Sequence, residues 1–318
     1  MKGLESDTPE LSVLIATRNR MSLLEKTLSH LQRQYLHGIR WEVVVVDNGS
    51  TDDTPSVLAR ARKNLPLIDI TEPSAGKNRA LNKALAFARG GLLVFTDDDI
   101  EFSPGWLGEI YAAAQRWPEH EIFCGPIIPA YPAETPSWLR DHPYAGPAFA
   151  QFQPEVPEGP LPNNRLPFGG NYAVRAAAMS GLRFCLKFCP KLGSQGNGFP
   201  IGDETEMLSR LSEQGARIIY VPTAAVRHHV GKHQIETKWL FNRAFCIGRG
   251  TARLKARRAP SPAVKTWVQI LTSGAQHALS ALGNQRRWFE TGAQFHYLRG
   301  IRHEQRVMAG ESEDVPLH

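Results

Sequence analysis

Residues 92–102 read Leu-Leu-Val-Phe-Thr-Asp-Asp-Asp-Ile-Glu-Phe, and the fold turns on how that stretch changes character at its centre. The apolar run closing at Thr96 predicts a buried strand over 92–96. Asp97, Asp98 and Asp99 then crowd three carboxylates at its carboxyl end. Adjacent carboxylates repel, and burying them together is costly unless a cation offsets their charge. Mn2+ or Mg2+, which prefer oxygen ligands, would do so. A solvated acidic loop capping the helix after Pro104 accounts for the same residues without a ligand.

Working outward, Leu11–Ala16 and Trp41–Val46 are two more short apolar runs, and Leu67–Thr71 a third. Leu23, Leu24, Thr27, Leu28, Leu31 and Tyr35 recur at helical spacing and predict a helix over 21–36. Ser50 or Thr51 is placed to cap the next helix. Gly76 introduces another, with Ala80, Leu81, Ala84, Leu85 and Ala88 on one face and Gly90-Gly91 as its stop. Strand and helix alternate four times within a hundred residues. That predicts an α/β fold, a doubly wound and mainly parallel sheet flanked by helices. Ligands of such sheets bind beyond the carboxyl ends of the strands. Thr17-Arg18-Asn19, Asp47-Asn48 and Gly76-Lys77-Asn78-Arg79 fall at that same edge. They offer hydrogen bonds to a base and ribose, and cationic groups with free amides to a pyrophosphate.

Residues 125–168 hold eleven prolines with Tyr131, Trp138, Tyr144, Phe149 and Phe152. The prolines predict a long irregular excursion, a lid or an acceptor wall. The aromatics favour packing over a free linker. Residues 203–214 predict a helix and Ile218–Val221 a strand. From about Lys238 to 308 the chain reads as helical, broken near Ala259–Pro262. The division expected is 9–235 for the α/β domain and 236–318 for a basic helical extension.

The net charge of +6 is unevenly spread: residues 223–318 carry 15 Lys and Arg against 6 Asp and Glu. Such a tail suits phosphate or an anionic membrane surface, or it is only a solvated helical face. No recognisable module accompanies it for nucleic acid, so none is expected as a partner. No apolar run approaches the ~18–20 residues of a membrane span. The polar start MKGLESDTPE does not read as a signal peptide, which gives a cytoplasmic expectation, with contact on the inner membrane's cytoplasmic face as the variant. Cys124, Cys185, Cys189 and Cys246 form no CxxC pair and read as reduced thiols.

Seven blocks now stand in order: LSVLIATRNR (11–20), VVVVDNGSTDDT (43–54), EPSAGKNRALNKAL (72–85), LLVFTDDDIEF (92–102), FGGNYAVR (168–175), IGDETEM (201–207) and VPTAAVRHHV (221–230). Together they resemble the inverting, nucleotide-sugar-dependent glycosyltransferases of family 2, which have a GT-A fold, over roughly residues 11–250. The resemblance implies that Thr17, Arg18 and Asn19 contact the nucleotide and that Asp47 binds its base. It puts Lys77 and Arg79 near the diphosphate. It makes Asp97, Asp98 and Asp99 a DxD element, with Asp99 the direct metal ligand and Asp97 nearer the ribose. Asn171 falls beside the sugar pocket. His228 falls on a histidine that completes the metal site, with His229 as its rival, since strand alternation points one of them inward.

Inverting transfer needs a carboxylate to take the acceptor hydroxyl's proton. By register Glu204 falls on the family's usual base and Asp203 on the acidic residue before it. Asp and Glu are thereby swapped relative to the family, so both remain candidates. The same residues also suit a helix N-terminus with no chemistry. The implied donor is a nucleotide-sugar, by default a UDP-sugar. The implied acceptor is a carbohydrate or lipid-linked hydroxyl in cell-surface polysaccharide or glycolipid synthesis. A nucleotidyltransferase is disfavoured because the loop Thr17–Arg20 has no glycine. A catalytically inactive carbohydrate-binding domain is disfavoured by the intact carboxylates.

Overall fold

The computed structural model describes residues 8–161, 165–188, 198–257, 263–280 and 284–310, with backbone alone for 263–268. The start MKGLESD, Cys189 and the break expected at Ala259–Pro262 lie outside them.

The first hundred residues alternate as the hydrophobic pattern requires: β1 (Leu11–Thr17), α1 (Met21–Leu31), β2 (Trp41–Asp47), α2 (Thr54–Ala61), β3 (Leu67–Thr71), α3 (Lys77–Phe87) and β4 (Leu92–Phe95). β1 and β4 are buried along their whole length, as expected of strands covered on both faces. α1 buries Leu24, Thr27, Leu28 and Leu31, the spacing of one helical face. It stops short of the expected residue 36. Gln34 is drawn instead to Ser103 O and Leu107 N, and Tyr35 stays exposed. Neither Ser50 nor Thr51 caps α2. Asp52 Oδ1 accepts from Thr54 N and its hydroxyl, while Ser50 Oγ accepts from Asn19 N across the sheet edge.

The chain continues through β5 (Ile100–Phe102), α4 (Trp106–Arg116), β6 (Ile122–Cys124), β7 (Ile127–Ala130), α5 (Ser137–Arg140), α6 (Ala145–Phe149), β8 (Gly159–Pro160) and β9 (Tyr172–Arg175). It ends with α7 (Asp203–Glu213), β10 (Ile218–Tyr220), β11 (Val226–His229), α8 (Thr237–Ala256), α9 (Ala263–Ser280) and α10 (Gln285–Met308). The main sheet runs β3-β2-β1-β4-β9-β6-β10-β8. It is parallel through β3-β2-β1-β4 and between β6 and β10, with β9 antiparallel to both neighbours. A small sheet, β5-β11-β7, crosses the end of β4. Its β11 is antiparallel to β5, with His228 opposite Ile100 and Arg227 opposite Glu101. That pairing brings the late histidines to the acidic triplet.

The proline-rich excursion is packed. Leu139, Ala148 and Phe149 form a second apolar cluster with Val230, Leu240, Ala244 and Phe289. α8 and α10 are thereby fastened to the α/β body. α9 and α10 are separate helices, and the second is capped by Asn284, whose Oδ1 accepts from Arg287 N at 2.9 Å. No helix among the described residues is long and apolar enough to cross a membrane.

Candidate active site

A cavity of about 400 Å3 opens at the carboxyl edge of the strands. Asp97, Asp98 and Asp99 form one side, Asp203 and Glu204 another, with Lys77, Arg20 and His228 between them. The sheet explains the convergence: β4 delivers the triplet, α3 starts at Lys77 after the β3 turn, and α7 starts at Asp203.

The three aspartates differ. Asp98 is 2% exposed and has both oxygens engaged: Thr17 Oγ1 donates to one at 2.7 Å, Arg20 to the other at 2.6 Å. Burial pushes its carboxyl up, against the pull of Arg20. Asp99 accepts from Arg20 through Oδ2 at 2.9 Å. Burial would raise Asp99 as well, but His228 and Arg20 overcome it and hold its carboxyl well below the usual range. Asp97 is the most open of the three, and Lys77 Nζ lies 2.9 Å from its Oδ1.

Asp99 Oδ1 is buried with no hydrogen-bond donor. His228 Nε2 stands 3.4 Å away, an ion-pair distance but not an aligned hydrogen bond. The other ring nitrogen of His228 is held by Phe149 O at 2.9 Å, which orients Nε2 toward Asp99. Burial lowers the His228 pKa, but Asp99 more than offsets it, so the ring's net shift is upward. A bare carboxylate oxygen facing an oriented imidazole nitrogen is a donor pair suited to Mn2+ or Mg2+, which would displace the ring proton. Among the described residues no three His, Cys, Asp or Glu side chains group as a metal cage. A cation held here therefore takes further oxygens from elsewhere, such as a diphosphate. His229 does not line the cavity.

Glu204 carries the second centre. Lys77 Nζ donates to its Oε1 at 2.6 Å, so one ammonium bridges Asp97 and Glu204. Burial pushes the Glu204 carboxyl up to about 7; Asp203 adds to the rise and Lys77 opposes it. A carboxyl poised near neutrality is matched to proton transfer at working pH. Asp203 is 2% exposed, and its charge adds to the rise of Glu204. Glycine keeps the space opposite them open. A methyl group on Gly169 would run into Glu204 Oε1, and Gly170 sits at φ +98 against Asp97.

The remaining expected residues divide. Arg18, Asn19, Asp47 and Arg79 lie at the same edge but outside the cavity. Asn19 Oδ1 accepts from Thr51 N, Asp47 Oδ1 from Ser50 N, and Arg79 is exposed at the start of α3. Thr17 has no exposed surface, and its hydroxyl is spent on Asp98, so its side chain anchors the triplet. Asn171 is likewise engaged within the protein. It is wholly buried, accepts from Trp106 Nε1 and donates to Pro126 O and Ala224 O, so it ties β6, β9 and the β10–β11 loop beneath the site.

Three features escaped the sequence. Arg20, two residues past Arg18, is the arginine that reaches Asp98 and Asp99. Gly169 is the floor under Glu204. Past the boundary expected between 235 and 236, α8 walls the cavity through Trp239, Arg243, Ile247, Thr251 and Leu254. That i, i+4 stripe was its only signal.

A mainly parallel α/β sheet with carboxylates, a histidine and a buried acid at its carboxyl edge is the architecture of a GT-A glycosyltransferase. The model of "Glycosyl transferase family 2" matches residues 12–184, and the chain belongs to that family. Validoxylamine A glucosyltransferase of Streptomyces hygroscopicus subsp. jinggangensis is 36% identical over 115 residues, 36% of this chain and 27% of that protein. GalNAc(5)-diNAcBac-PP-undecaprenol beta-1,3-glucosyltransferase of Campylobacter jejuni is 34% identical over 115 residues, 35% and 37% of the two chains. These matches span well under half of the relatives' own length. Among solved structures, mannosyltransferase PcManGT of Pyrobaculum calidifontis, with GDP-Man and Mn2+, superposes with TM-score 0.60 at 20% identity over 93% of this chain and 86% of that one. S. aureus TarS 1-349 with UDP gives 0.55 at 15% identity over 97% and 94%.

Proposed function

We propose that this enzyme transfers a sugar from a nucleotide-sugar, by default a UDP-sugar, to an acceptor hydroxyl with inversion at the anomeric carbon. The observation that carries the reading is Glu204, a buried carboxyl near neutrality, in one cavity with the Asp99–His228 donor pair. Glu204 accepts the acceptor hydroxyl's proton as that oxygen attacks, and Asp203 keeps its proton affinity high. Asp99 and His228 would hold Mn2+ or Mg2+, which supplies charge neutralisation for the leaving diphosphate. Lys77 steadies Asp97 and Glu204. Arg18, Asn19, Asp47 and Arg79 surround the nucleotide outside the cavity, with Arg79 at a helix N-terminus where phosphate is favoured.

The acceptor is read as a carbohydrate or lipid-linked hydroxyl in cell-surface polysaccharide or glycolipid synthesis at the cytoplasmic face of a membrane. The exposed Leu271 and Leu279 on α9 and the basic balance of residues 223–318 support surface contact.

A sugar-nucleotide panel read by thermal shift with Mn2+ names the donor, and NMR of the product reads the anomeric configuration. Glu204→Gln and Asp99→Ala should abolish transfer with the fold intact. Full transfer in either variant, or retention of configuration, overturns the reading.

A further inference from the structure

α8 is pressed against backbone on two opposite faces. Glycine weakens the interior of a helix relative to alanine, yet α8 carries Gly248 and Gly250 near its middle, both buried. A methyl group on Gly248 would overlap Tyr297 O of α10, and one on Gly300 of α10 would overlap Phe245 O of α8. Behind that contact Glu304 of α10, with no exposed surface, accepts from Arg249 and Arg253. α8 therefore cannot back away from what lies on its other side.

That other side holds residues 198–206, the chain that enters α7. Cys246, Gly250, Leu254 and Arg257 follow one another at helical spacing along this face. Cys246 O accepts from Ile201 N at 3.4 Å. A methyl group on Gly250 would overlap Ile201 O. Leu254 Cδ1 lies 3.7 Å from where a Cβ on Gly202 would sit. Arg257 Nη1 stands 3.1 Å from Glu206 Oε1. Arg249, on the flank of the same face, donates to Gly198 O. Successive turns of one helix thus meet the backbone before Glu204 and the carboxylate two residues after it.

Glu204 tolerates little movement. Lys77 Nζ holds its Oε1 at 2.6 Å, and Gly169 lies against the same oxygen with no room for a methyl group. Ile201 is three residues upstream, joined through Gly202 at φ +112. Close-packed interiors transmit displacement, so a shift of Ile201 O is passed on to Glu204.

We propose that α8 is the template for the general base, with Gly250 and Arg257 as positioning residues that set where Glu204 stands relative to Lys77. This rests on the reading of Glu204 as the proton acceptor and adds what places it. Neither positioning residue lines the cavity itself.

Carbon NMR of the full chain with isotope-labelled glutamate carboxyls tests it. The resonance missing from Glu204→Gln reports Glu204, and its titration midpoint in the wild type should lie at about 7. In Gly250→Ala the midpoint should move by about half a pH step or more, since Asp203, Lys77 and Asp97 all act on that carboxyl. A merely structural glycine would change the melting temperature and leave the midpoint alone. If Gly250→Ala fails to fold, Arg257→Met makes the same comparison. Arg257 is not among the main charges acting on Glu204, so a midpoint moved by Arg257→Met and restored by Arg257→Lys reports position. An unmoved midpoint in the folded variant overturns the proposal. Transfer that survives Glu204→Gln would remove the reading of Glu204 as the base. An unmoved midpoint with transfer abolished in Glu204→Gln would remove only the role given to α8.

Discussion

Replacing Glu204 by glutamine isolates the cost of charging a buried carboxyl without changing its shape. Burial first, then Asp203, carries the carboxyl from its ordinary 4.5 to about 7, against Lys77. In the unfolded chain the same group ionises near 4.5. Between these two values the folded protein holds a proton that the unfolded chain has released. A raised acid pKa therefore stabilises the fold below 4.5, and that contribution is lost as pH rises through about 7. At ~1.36 kcal/mol for each pH step the loss amounts to about 3 kcal/mol. Glutamine stays neutral throughout, so the stability of Glu204→Gln relative to wild type should climb by about 3 kcal/mol between pH 4.5 and pH 8. Urea denaturation of both proteins across that range measures the difference and cancels the titrating groups that do not interact with Glu204. The kinetic counterpart is a transfer rate that rises about tenfold per pH step up to about 7 and then levels. A stability difference that stays flat with pH, or falls, would refute the placement of Glu204 as a desolvated acid beside Asp203.

Asp99→Asn should lose the Mn2+-dependent part of the thermal shift given by nucleoside diphosphate, a stabilisation of ~2.7 kcal/mol at a hundredfold excess over Kd; an undiminished Mn2+ response would remove Asp99 from the metal site. Gly169→Ala puts a methyl group into Glu204 Oε1 and should cut the transfer rate by about a hundredfold, as misplacement of a reacting group by ~1 Å does; wild-type turnover would show that Glu204 works from another position. Glu304 has no exposed surface and pairs with Arg249 at 2.5 Å and with Arg253, so Glu304→Ala removes the buried carboxylate the two arginines share and should cost about 3–5 kcal/mol in urea denaturation. A loss under ~1 kcal/mol would mean that the α8–α10 contact does not depend on this buried charge. Leu271→Ser combined with Leu279→Ser, at 69% and 73% exposed positions, should reduce flotation with anionic liposomes while leaving the melting temperature unchanged. Equal flotation would exclude α9 as the contact.

What could be read from the sequence was whatever a local pattern determines. β1, β2 and β4 announced themselves because a strand buried on both faces has almost no freedom in its residues. The start of α7 was legible because Gly202-Asp203-Glu204 punctuates the chain whether or not it does chemistry. Arg20 was not, because Arg18 and Arg20 share one turn, and only the path of the loop after β1 decides which reaches Asp98. The partners of Asn171 were hidden for a related reason. A Gly-Asn pair at a sheet edge looks the same whether the amide faces the cavity or turns under it to hold Pro126 and Ala224. α8 hid its wall because two of its faces are used. Leu240 and Ala244 pack inward in the second apolar cluster, while Trp239, Arg243 and Ile247 line the cavity. A single periodicity cannot separate two occupied faces of one helix.

Lys77 joins the two halves of the site. It touches Asp97 at the end of β4 and Glu204 at the start of α7, residues more than a hundred positions apart in the chain. No spacing argument links those residues, because the third member of the bridge comes from α3. Yet the bridge is what keeps Glu204 near 7 when burial and Asp203 alone would drive it higher. The proton affinity of Glu204 is thus set jointly by the strand edge carrying the acidic triplet and the helix carrying the acid pair. A cation bound at Asp99 and His228 would add positive charge to the same cavity and draw the Glu204 pKa downward, toward the ionised form that accepts a proton. The carboxylate cluster and Glu204 are therefore one electrostatic unit with Lys77 at its centre. The sequence places these residues in order along the chain, and the sheet alone brings their charges within reach of one another.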